Sequence, residues 1–253
     1  GKGASESFKG GTFKGGNKNF KYSKNYRKKP YQKQFKPIKN KPSVKIAFLG
    51  GLNEIGKNIT MIECENDIIL VDCGMAFPDG DMLGVDLVIP DFTYIEQNQD
   101  KIRGIVLTHG HEDHIGGLPF LLGRVNIPIY GTALTLGLVG NKLKEHSLYN
   151  ESSLNRVNAG ETIKLGCMSV EFIHVNHSIP DAVAFAIRTP AGTIVHTGDF
   201  KIDCTPITGD MIDLSAFARV GDEGVLALLA ESTNAERPGY TCLLYTSPSP
   251  RDS

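Results

Sequence analysis

Four side chains that commonly bind metal ions lie within six residues of one another. The apolar segment 102–107 predicts a buried strand, and His109, His111, Asp113 and His114 follow it directly. Side chains two residues apart point the same way in an extended segment, so His109 and His111 can bind one ion. Asp113 and His114 lie where the chain bends into a helix and can face a second ion. Imidazole with carboxylate suits zinc, and also manganese or iron. We therefore expect a metal centre at this strand end; the alternative is a set of solvated histidines with an aspartate that caps the helix.

Two ions need more ligands than this segment offers, and the other candidates lie at the ends of later strands. His177 follows one predicted strand, and Asp199, preceded by glycine, ends another. A carboxylate at a strand end is well placed to bridge two cations. His174 and His196 lie in apolar strands, so we expect them to form hydrogen bonds in the core or behind the ligands. His146 ends a polar helix, where we expect a surface position.

Strand and helix patterns alternate along residues 43–241 and predict a layered α/β domain. Segment 74–92 reads as a loop, and 225–230 as a buried strand. The other predicted strands are 44–49, 59–63, 68–71, 102–107, 170–175, 182–188 and 193–196. The predicted helices are 115–122, 132–146 and 211–220.

The first 42 residues differ sharply in composition from the rest. They hold twelve Lys and one Arg against one acid, Glu6, although the net charge of the whole chain is -1. Aromatic residues are scattered among the charges without a helical or strand period, so we expect a disordered arm. Basic residues interleaved with aromatics favour contact with an anionic partner, foremost RNA. The alternative is a solubilising tail with no specific partner.

The five cysteines are odd in number and form no C-x-x-C pair. This pattern predicts reduced thiols, mostly buried, and a cytoplasmic protein. No apolar run approaches the roughly 20 residues that a membrane span needs. No apolar stretch follows the N-terminal charges as it does in a secretory signal.

Several stretches beyond the histidine cluster carry a resemblance to a known family. The run at 109–114, with His177 and Asp199, resembles the signature of the metallo-β-lactamase superfamily. Over residues 44–241 the chain is similar, more narrowly, to the ribonuclease J family of the β-CASP branch. The stretches that carry this resemblance are FLGGLNEIGKN (48–58), VDCGMAFPD (71–79), LGVDLVIPDFTYI (83–95), LTHGHEDHIGGLPFLL (107–122), HSIPDA (177–182), HTGDFK (196–201) and ESTNAERPG (231–239).

The resemblance implies a metallo-β-lactamase αββα sandwich and two zinc ions, with manganese as a possible replacement. Asp199 would bridge the ions, Asp72 would be a structural acid beside them, and Glu231 would take part in proton transfer or anchor the site. The first ion would be bound by His109, His111 and His177, and the second by Asp113 and His114.

The implied activity is that of a metal-dependent ribonuclease in RNA maturation and decay. Paired cations lower the pKa of a bridging water, and the resulting hydroxide attacks a phosphodiester. The family degrades RNA from the 5′ end towards the 3′ end, favours a 5′-monophosphate and also cuts internally. The full-length protein is expected to be a homo-oligomer.

The resemblance stops near residue 241, where the family continues with a β-CASP insertion. We therefore expect an arm at 1–42, an incomplete lactamase domain at 43–241 and a non-native tail at 242–253. The last ligand of the second ion would be missing, so we expect one tight ion, one weak ion, and weak or absent activity. Two alternatives are a small-molecule hydrolase such as a thioesterase or lactamase, and a non-catalytic RNA-binding module. The stretches at 48–58, 83–95 and 231–239 disfavour the small-molecule hydrolase.

Overall fold

The computed structural model describes residues 42–203, 205–206, 209–233 and 235–239. The predicted tail at 242–253 and, apart from its last residue, the predicted arm at 1–42 lie outside the described residues. Cys204 and Cys242 lie outside them as well.

The described residues form eleven strands, five α-helices and two short 3-10 helices. The strands are β1 (Val44–Gly50), β2 (Ile59–Cys64), β3 (Asp67–Val71), β4 (Ile102–Val106), β5 (Ile129–Gly131), β6 (Leu154–Arg156), β7 (Thr162–Leu165), β8 (Met168–His174), β9 (Val183–Thr189), β10 (Gly192–His196) and β11 (Val225–Leu229). The helices are α1 (Thr93–Gln97), α2 (Glu112–Ile115), α3 (Leu118–Leu122), α4 (Ala133–Glu145) and α5 (Leu214–Glu223), with 3-10 turns at Gln99–Lys101 and Tyr149–Glu151.

These strands make two sheets. The first has the order β1-β2-β3-β4-β5-β6, and the second has the order β11-β10-β9-β8-β7. The strands β1 to β3 pair antiparallel, whereas β3 to β6 pair parallel. In the second sheet only β10 and β11 pair parallel. The parallel strands β3 to β5 therefore end at one edge, from which the loop after β4 emerges.

Three apolar clusters show how the layers stack. Between the sheets, Ile69 and Val71 of β3 pack in one cluster with Phe172 and Phe185 of the second sheet. On the outer face of the first sheet, the alternate residues of β3 pack with α3 and α4. On the outer face of the second sheet, α5 packs through Val220. Because strands with both faces covered become continuously apolar, β3 is an apolar run after Asp67. The order helix, sheet, sheet, helix confirms the predicted αββα sandwich.

Several predicted elements need correction. The predicted helix 115–122 is two short helices, α2 and α3, broken at Gly116 and Gly117. The predicted helix 211–220 begins three residues later, because the Asp213 carboxylate accepts a hydrogen bond from the Ala216 N–H at 2.9 Å and caps α5. The loop 74–92 was predicted correctly, but β5, β6 and β7 were missed, since each has only three or four residues.

The predicted buried strand 225–230 forms as β11, but its burial was predicted wrongly. β11 is the edge strand of the second sheet. Its Leu226 and Leu228 are 56% and 63% exposed. An apolar run alone does not distinguish a central strand from an edge strand.

Cysteine placement agrees with the prediction of mostly buried thiols. Cys64 and Cys73 are buried and Cys167 is half-buried, and none of the three forms a disulfide. Burial raises the pKa of the Cys73 thiol well above its usual range. Among the residues that the structure describes, no helix has both the length and the apolar character to cross a bilayer.

Candidate metal centre

Loops from both sheets bring the predicted ligands to one place. His109 and His111 lie in the loop between β4 and α2, and His114 lies in α2. His177 follows β8, and Asp199 follows β10. Since β4 belongs to the first sheet and the other two strands to the second, the cluster forms where the sheets meet.

Three imidazoles converge on one point. His109 Nε2 lies 3.0 Å from His111 Nδ1, and His177 Nε2 lies 3.2 Å from the same nitrogen. One proton cannot satisfy three nitrogens that face each other, whereas a cation is satisfied by their lone pairs. The donor set and its convergence therefore fit a divalent cation bound by His109, His111 and His177.

A second group of possible ligands shares one residue with the first. The ligand atoms of His109, His114 and Asp199 lie within 4.8 Å of one another. Asp199 faces both groups, because its Oδ1 lies 3.5 Å from His114 Nε2 and its Oδ2 lies 3.7 Å from His177 Nε2. Asp113 lies outside this three-residue group, but its Oδ2 is 3.4 Å from His114 Nε2. All six predicted ligands thus lie together around two adjacent positions.

Asp72 lies directly behind the cluster. It is buried and adopts a positive φ of 62°. Its Oδ1 accepts a hydrogen bond from the Thr108 N–H at 2.7 Å, and its Oδ2 lies 2.8 Å from both Thr108 Oγ1 and His114 Nδ1. A carboxylate on the far nitrogen of an imidazole orients the ring and leaves Nε2 towards the cluster. Asp72 therefore has the position of the structural acid that the sequence resemblance implies.

Asn58 also contacts the cluster, and sequence reasoning missed it. Its Nδ2 lies 3.1 Å from the Asp113 carbonyl oxygen, 3.2 Å from Asp113 Oδ2 and 3.1 Å from His114 Nε2. The residue closes the stretch 48–58, which pointed to the family but not to a contact 55 residues further along the chain. No local pattern marks an asparagine for such a role.

Electrostatics favours a cation at the centre. Burial lowers the pKa of His109 to about 3 and that of His177 to about 4, so both imidazoles are neutral at pH 7 and can bind metal. Burial opposes ionisation of Asp199, but the hydrogen bond and charge of His114 prevail and bring the carboxyl pKa to about 2.

His114 titrates in the opposite direction. Burial disfavours its charged form, yet the charge of Asp72 and hydrogen bonds with Asp113 and Asp199 raise its pKa well above the usual value. The three carboxylates around His114 therefore hold positive charge at this point, and a divalent cation supplies the same charge.

A cavity of ≈620 Å³ opens beside the second group. Asp113, His114 and Asp199 form part of its wall, together with His196 and Glu231. The Glu231 carboxylate accepts a hydrogen bond from the Thr233 N–H at 2.7 Å. His196 accepts one at Nδ1 from the Gly198 N–H at 3.1 Å, and burial lowers its pKa.

The two remaining histidines lie away from the cluster. His174 Nε2 lies 3.0 Å from the carbonyl oxygen of Asp210, so this contact links the end of β8 to the loop before α5. His146 is exposed at the C-terminal cap of α4 and packs its ring edge-on to Phe120. His146 lies at the surface as the sequence predicted, whereas His174 is half-buried and forms its hydrogen bond neither in the core nor behind the candidate ligands.

The sequence profile of the Metallo-beta-lactamase superfamily matches residues 52–232. The chain belongs to this superfamily. The matched range holds all six candidate ligands, as well as Asp72 and Glu231.

Within the superfamily, curated relatives similar to this chain are ribonuclease J proteins. The chain is 51% identical over 205 residues to Ribonuclease J 1 of Streptococcus pyogenes, a match covering 81% of this chain and 36% of that protein. Ribonuclease J of Synechocystis is 50% identical over 201 residues, covering 79% and 31% respectively. Ribonuclease J2 of Bacillus subtilis is 45% identical over 203 residues, covering 80% and 37%. The resemblance predicted from the motifs is confirmed, and the chain spans about a third of the length of these relatives.

Proposed function

We propose that this chain carries the metal centre of a ribonuclease that hydrolyses RNA phosphodiester bonds. The observation that carries the proposal is the convergence of four imidazoles and Asp199 on two adjacent positions, with His111 Nδ1 lying 3.0 Å from His109 Nε2 and 3.2 Å from His177 Nε2. The similarity to proteins named ribonuclease J over about 80% of the chain supports RNA as the substrate.

We propose zinc as the metal, with manganese as a possible replacement. Imidazole-rich sets with one or two carboxylates are typical of zinc sites. Asp199 would lie between the two ions, since its two oxygens face different groups of ligands. The first ion would be held by His109, His111 and His177, and the second by Asp113 and His114.

When bound, the paired cations lower the pKa of a water molecule and polarise the phosphoryl oxygens of the substrate. The chain's own residues hold this chemistry in place. Asp72 orients His114, Asn58 fixes Asp113, and the cavity beside His114 leaves room for the substrate. Glu231 lines that cavity, and we assign it proton transfer to the leaving oxygen.

The finer properties follow the family. We propose degradation from the 5′ end with occasional internal cleavage, a preference for 5′-monophosphorylated RNA, a homo-oligomeric full-length protein and a cytoplasmic location. We also propose the domain boundaries 1–42, 43–241 and 242–253, with residues 1–42 as an RNA-contacting arm.

The proposal is tested by single-turnover assays with enzyme in excess, which detect slow cleavage. The substrate is a 5′-monophosphorylated RNA oligonucleotide labelled at its 3′ end, and the thioester S-lactoylglutathione is assayed in parallel. We expect zinc-dependent RNA cleavage that His109→Ala abolishes. His146→Ala is the matched control, because His146 is exposed and lies outside the cluster.

Two results would overturn the proposal. One is RNA cleavage that is equal in the zinc-loaded wild-type protein and His109→Ala. The other is thioester turnover that depends on His109 while RNA remains intact.

A further inference from the structure

Thr108 lies between the structural acid and the first histidine of the cluster, and no family motif gives it a role. Its side chain is buried, as are those of Asp72, His109 and His114. Thr108 Oγ1 lies 2.8 Å from Asp72 Oδ2 and 3.0 Å from His109 Nδ1. The hydroxyl thus joins a carboxylate on one side to an imidazole on the other, in a place closed to bulk water.

The number of protons fixes the direction of each hydrogen bond. A carboxylate only accepts, and a threonine hydroxyl has one proton to donate. Asp72 Oδ1 is already bound by the backbone N–H of Thr108, so this backbone holds the carboxylate in place. The Thr108 hydroxyl therefore donates its proton to Asp72 Oδ2. Its oxygen is left to accept, so a hydrogen bond with His109 requires that His109 carry its proton on Nδ1.

His114 does not compete for this hydroxyl. Its Nδ1 lies 2.8 Å from Asp72 Oδ2 but 3.4 Å from Thr108 Oγ1, so its proton goes to the carboxylate. Asp72 thus orients His114 directly and reaches His109 only through Thr108.

We propose that Thr108 is a positioning residue that fixes the tautomer of His109. Its hydroxyl holds the proton of His109 on Nδ1 and leaves the Nε2 lone pair facing His111 and His177. The Asp72 carboxylate then fixes the tautomers of both imidazoles in the second group of ligands, His109 and His114. The inference rests on the proposed metal centre, but it concerns the position of a proton and not the reaction.

The test uses nitrogen-15 NMR of the histidine rings in the metal-free 253-residue chain at pH 8, where the two neutral tautomers give distinct shifts. We expect the Nδ1–H form of His109 in the wild-type protein and in Thr108→Ser, which keeps the hydroxyl. Thr108→Val removes the hydroxyl at nearly constant volume and should leave a mixture of tautomers. The matched control is Thr135→Val, because Thr135 is equally buried but hydrogen-bonded only to Thr132 among the described residues.

A second variant keeps the test decisive if Thr108→Val does not fold. In Asp72→Asn the Thr108 N–H still requires an oxygen acceptor, so the new amide NH₂ takes the place of Oδ2. That NH₂ donates to the Thr108 hydroxyl, which must then donate to His109 Nδ1. We expect His109 to switch to the Nε2–H form, which points a proton into the cluster.

Zinc affinity gives an independent readout. Loss of a group that orients a metal ligand commonly weakens metal binding by about 10–100-fold. We expect this loss of zinc affinity for Thr108→Val. Thr108→Ser keeps the hydroxyl, and Thr135 does not contact His109, so both Thr108→Ser and Thr135→Val should bind zinc within about threefold of wild type. An unchanged His109 tautomer in both Thr108→Val and Asp72→Asn would overturn the inference, even if both variants were less stable. Thioester turnover that depends on His109 while RNA remains intact, together with the expected tautomers, would instead count against the proposed function alone.

Discussion

Gly74 is the described glycine at which an added Cβ would come closest to another backbone atom, the carbonyl oxygen of Asp113. A Cβ built on Gly74 would lie 1.6 Å from the carbonyl oxygen of Asp113, whereas real Cβ atoms essentially never come within 3.0 Å. Gly74→Ala must therefore push the Asp113 carbonyl away by at least 1.4 Å, the difference between these two distances. The obstacle is backbone, so no side-chain rotation relieves it.

The energetic cost follows from what that carbonyl binds. It accepts hydrogen bonds from Asn58 N at 3.0 Å and from Asn58 Nδ2 at 3.1 Å. Two lost hydrogen bonds cost about 0.5–1.5 kcal/mol each, and forcing an extra methyl group into a packed interior costs about 1–3 kcal/mol. We expect Gly74→Ala to lower the free energy of unfolding by roughly 2–6 kcal/mol, a large part of a typical total of about 5–15 kcal/mol.

The assay is urea denaturation in the presence of a chelator, so that bound metal does not mask the change. The control is Gly137→Ala, because Gly137 is exposed in α4 and a Cβ there meets nothing within 4 Å. That control should gain about 0.5–1 kcal/mol from helix propensity. A loss below about 1 kcal/mol for Gly74→Ala, with an unchanged urea m-value, would refute the reasoning, since it would mean that the backbone yields without losing its hydrogen bonds.

Three further predictions concern the centre and its supports. Zinc affinity should rise by up to about tenfold per pH unit from pH 6 upwards and level off above the pKa of His114. The reason is that this pKa is raised and the imidazole must release its proton to bind metal. Calorimetric titration across pH checks this, and a flat profile would contradict it. Glu171→Gln should lower the free energy of unfolding, measured by urea denaturation, by roughly 1–3 kcal/mol. The buried carboxylate accepts a hydrogen bond from Arg188 at 2.8 Å and also contacts Arg219. A change below about 0.5 kcal/mol would show that these ion pairs make no net contribution to stability. Asp213→Ala should cost about 1 kcal/mol by the same assay through loss of the α5 cap, whereas Asp213→Asn should retain most of it.

Four of the six candidate ligands could be placed together from the sequence because they lie within six residues of one another in the chain. His109 and His111 are two residues apart in an extended segment, so their convergence is a local property. Asp113 and His114 lie in α2 within the same six-residue segment, so their nearness to His109 and His111 is also a local property. The roles assigned to these ligands stay predictions, as does the role of Glu231.

The long-range contact of Asn58 was not predicted from the sequence, although the distant ligands His177 and Asp199 were. Asn58 meets Asp113 across 55 residues, and only the packing of the β1–β2 connection against α2 brings them together. The exposure of β11 depends on its place at the sheet edge, which an apolar run of five residues does not reveal. Short strands such as β5 form because a neighbouring strand offers backbone partners, and their own three residues carry little pattern.

The place of the cluster at the junction of the two sheets has a consequence for how the chain folds. His111 comes from the first sheet, and His177 and Asp199 follow strands of the second, 66 and 88 positions later in the sequence. An ion that meets the chain early in its synthesis finds only the local residues between 109 and 114. Coordination by His177 and Asp199 would require the second sheet to be docked, so we expect the choice between competing metals to be made late in folding. A bound ion would then stabilise the docked sheets, and we expect chelation to loosen that junction before it affects either sheet alone.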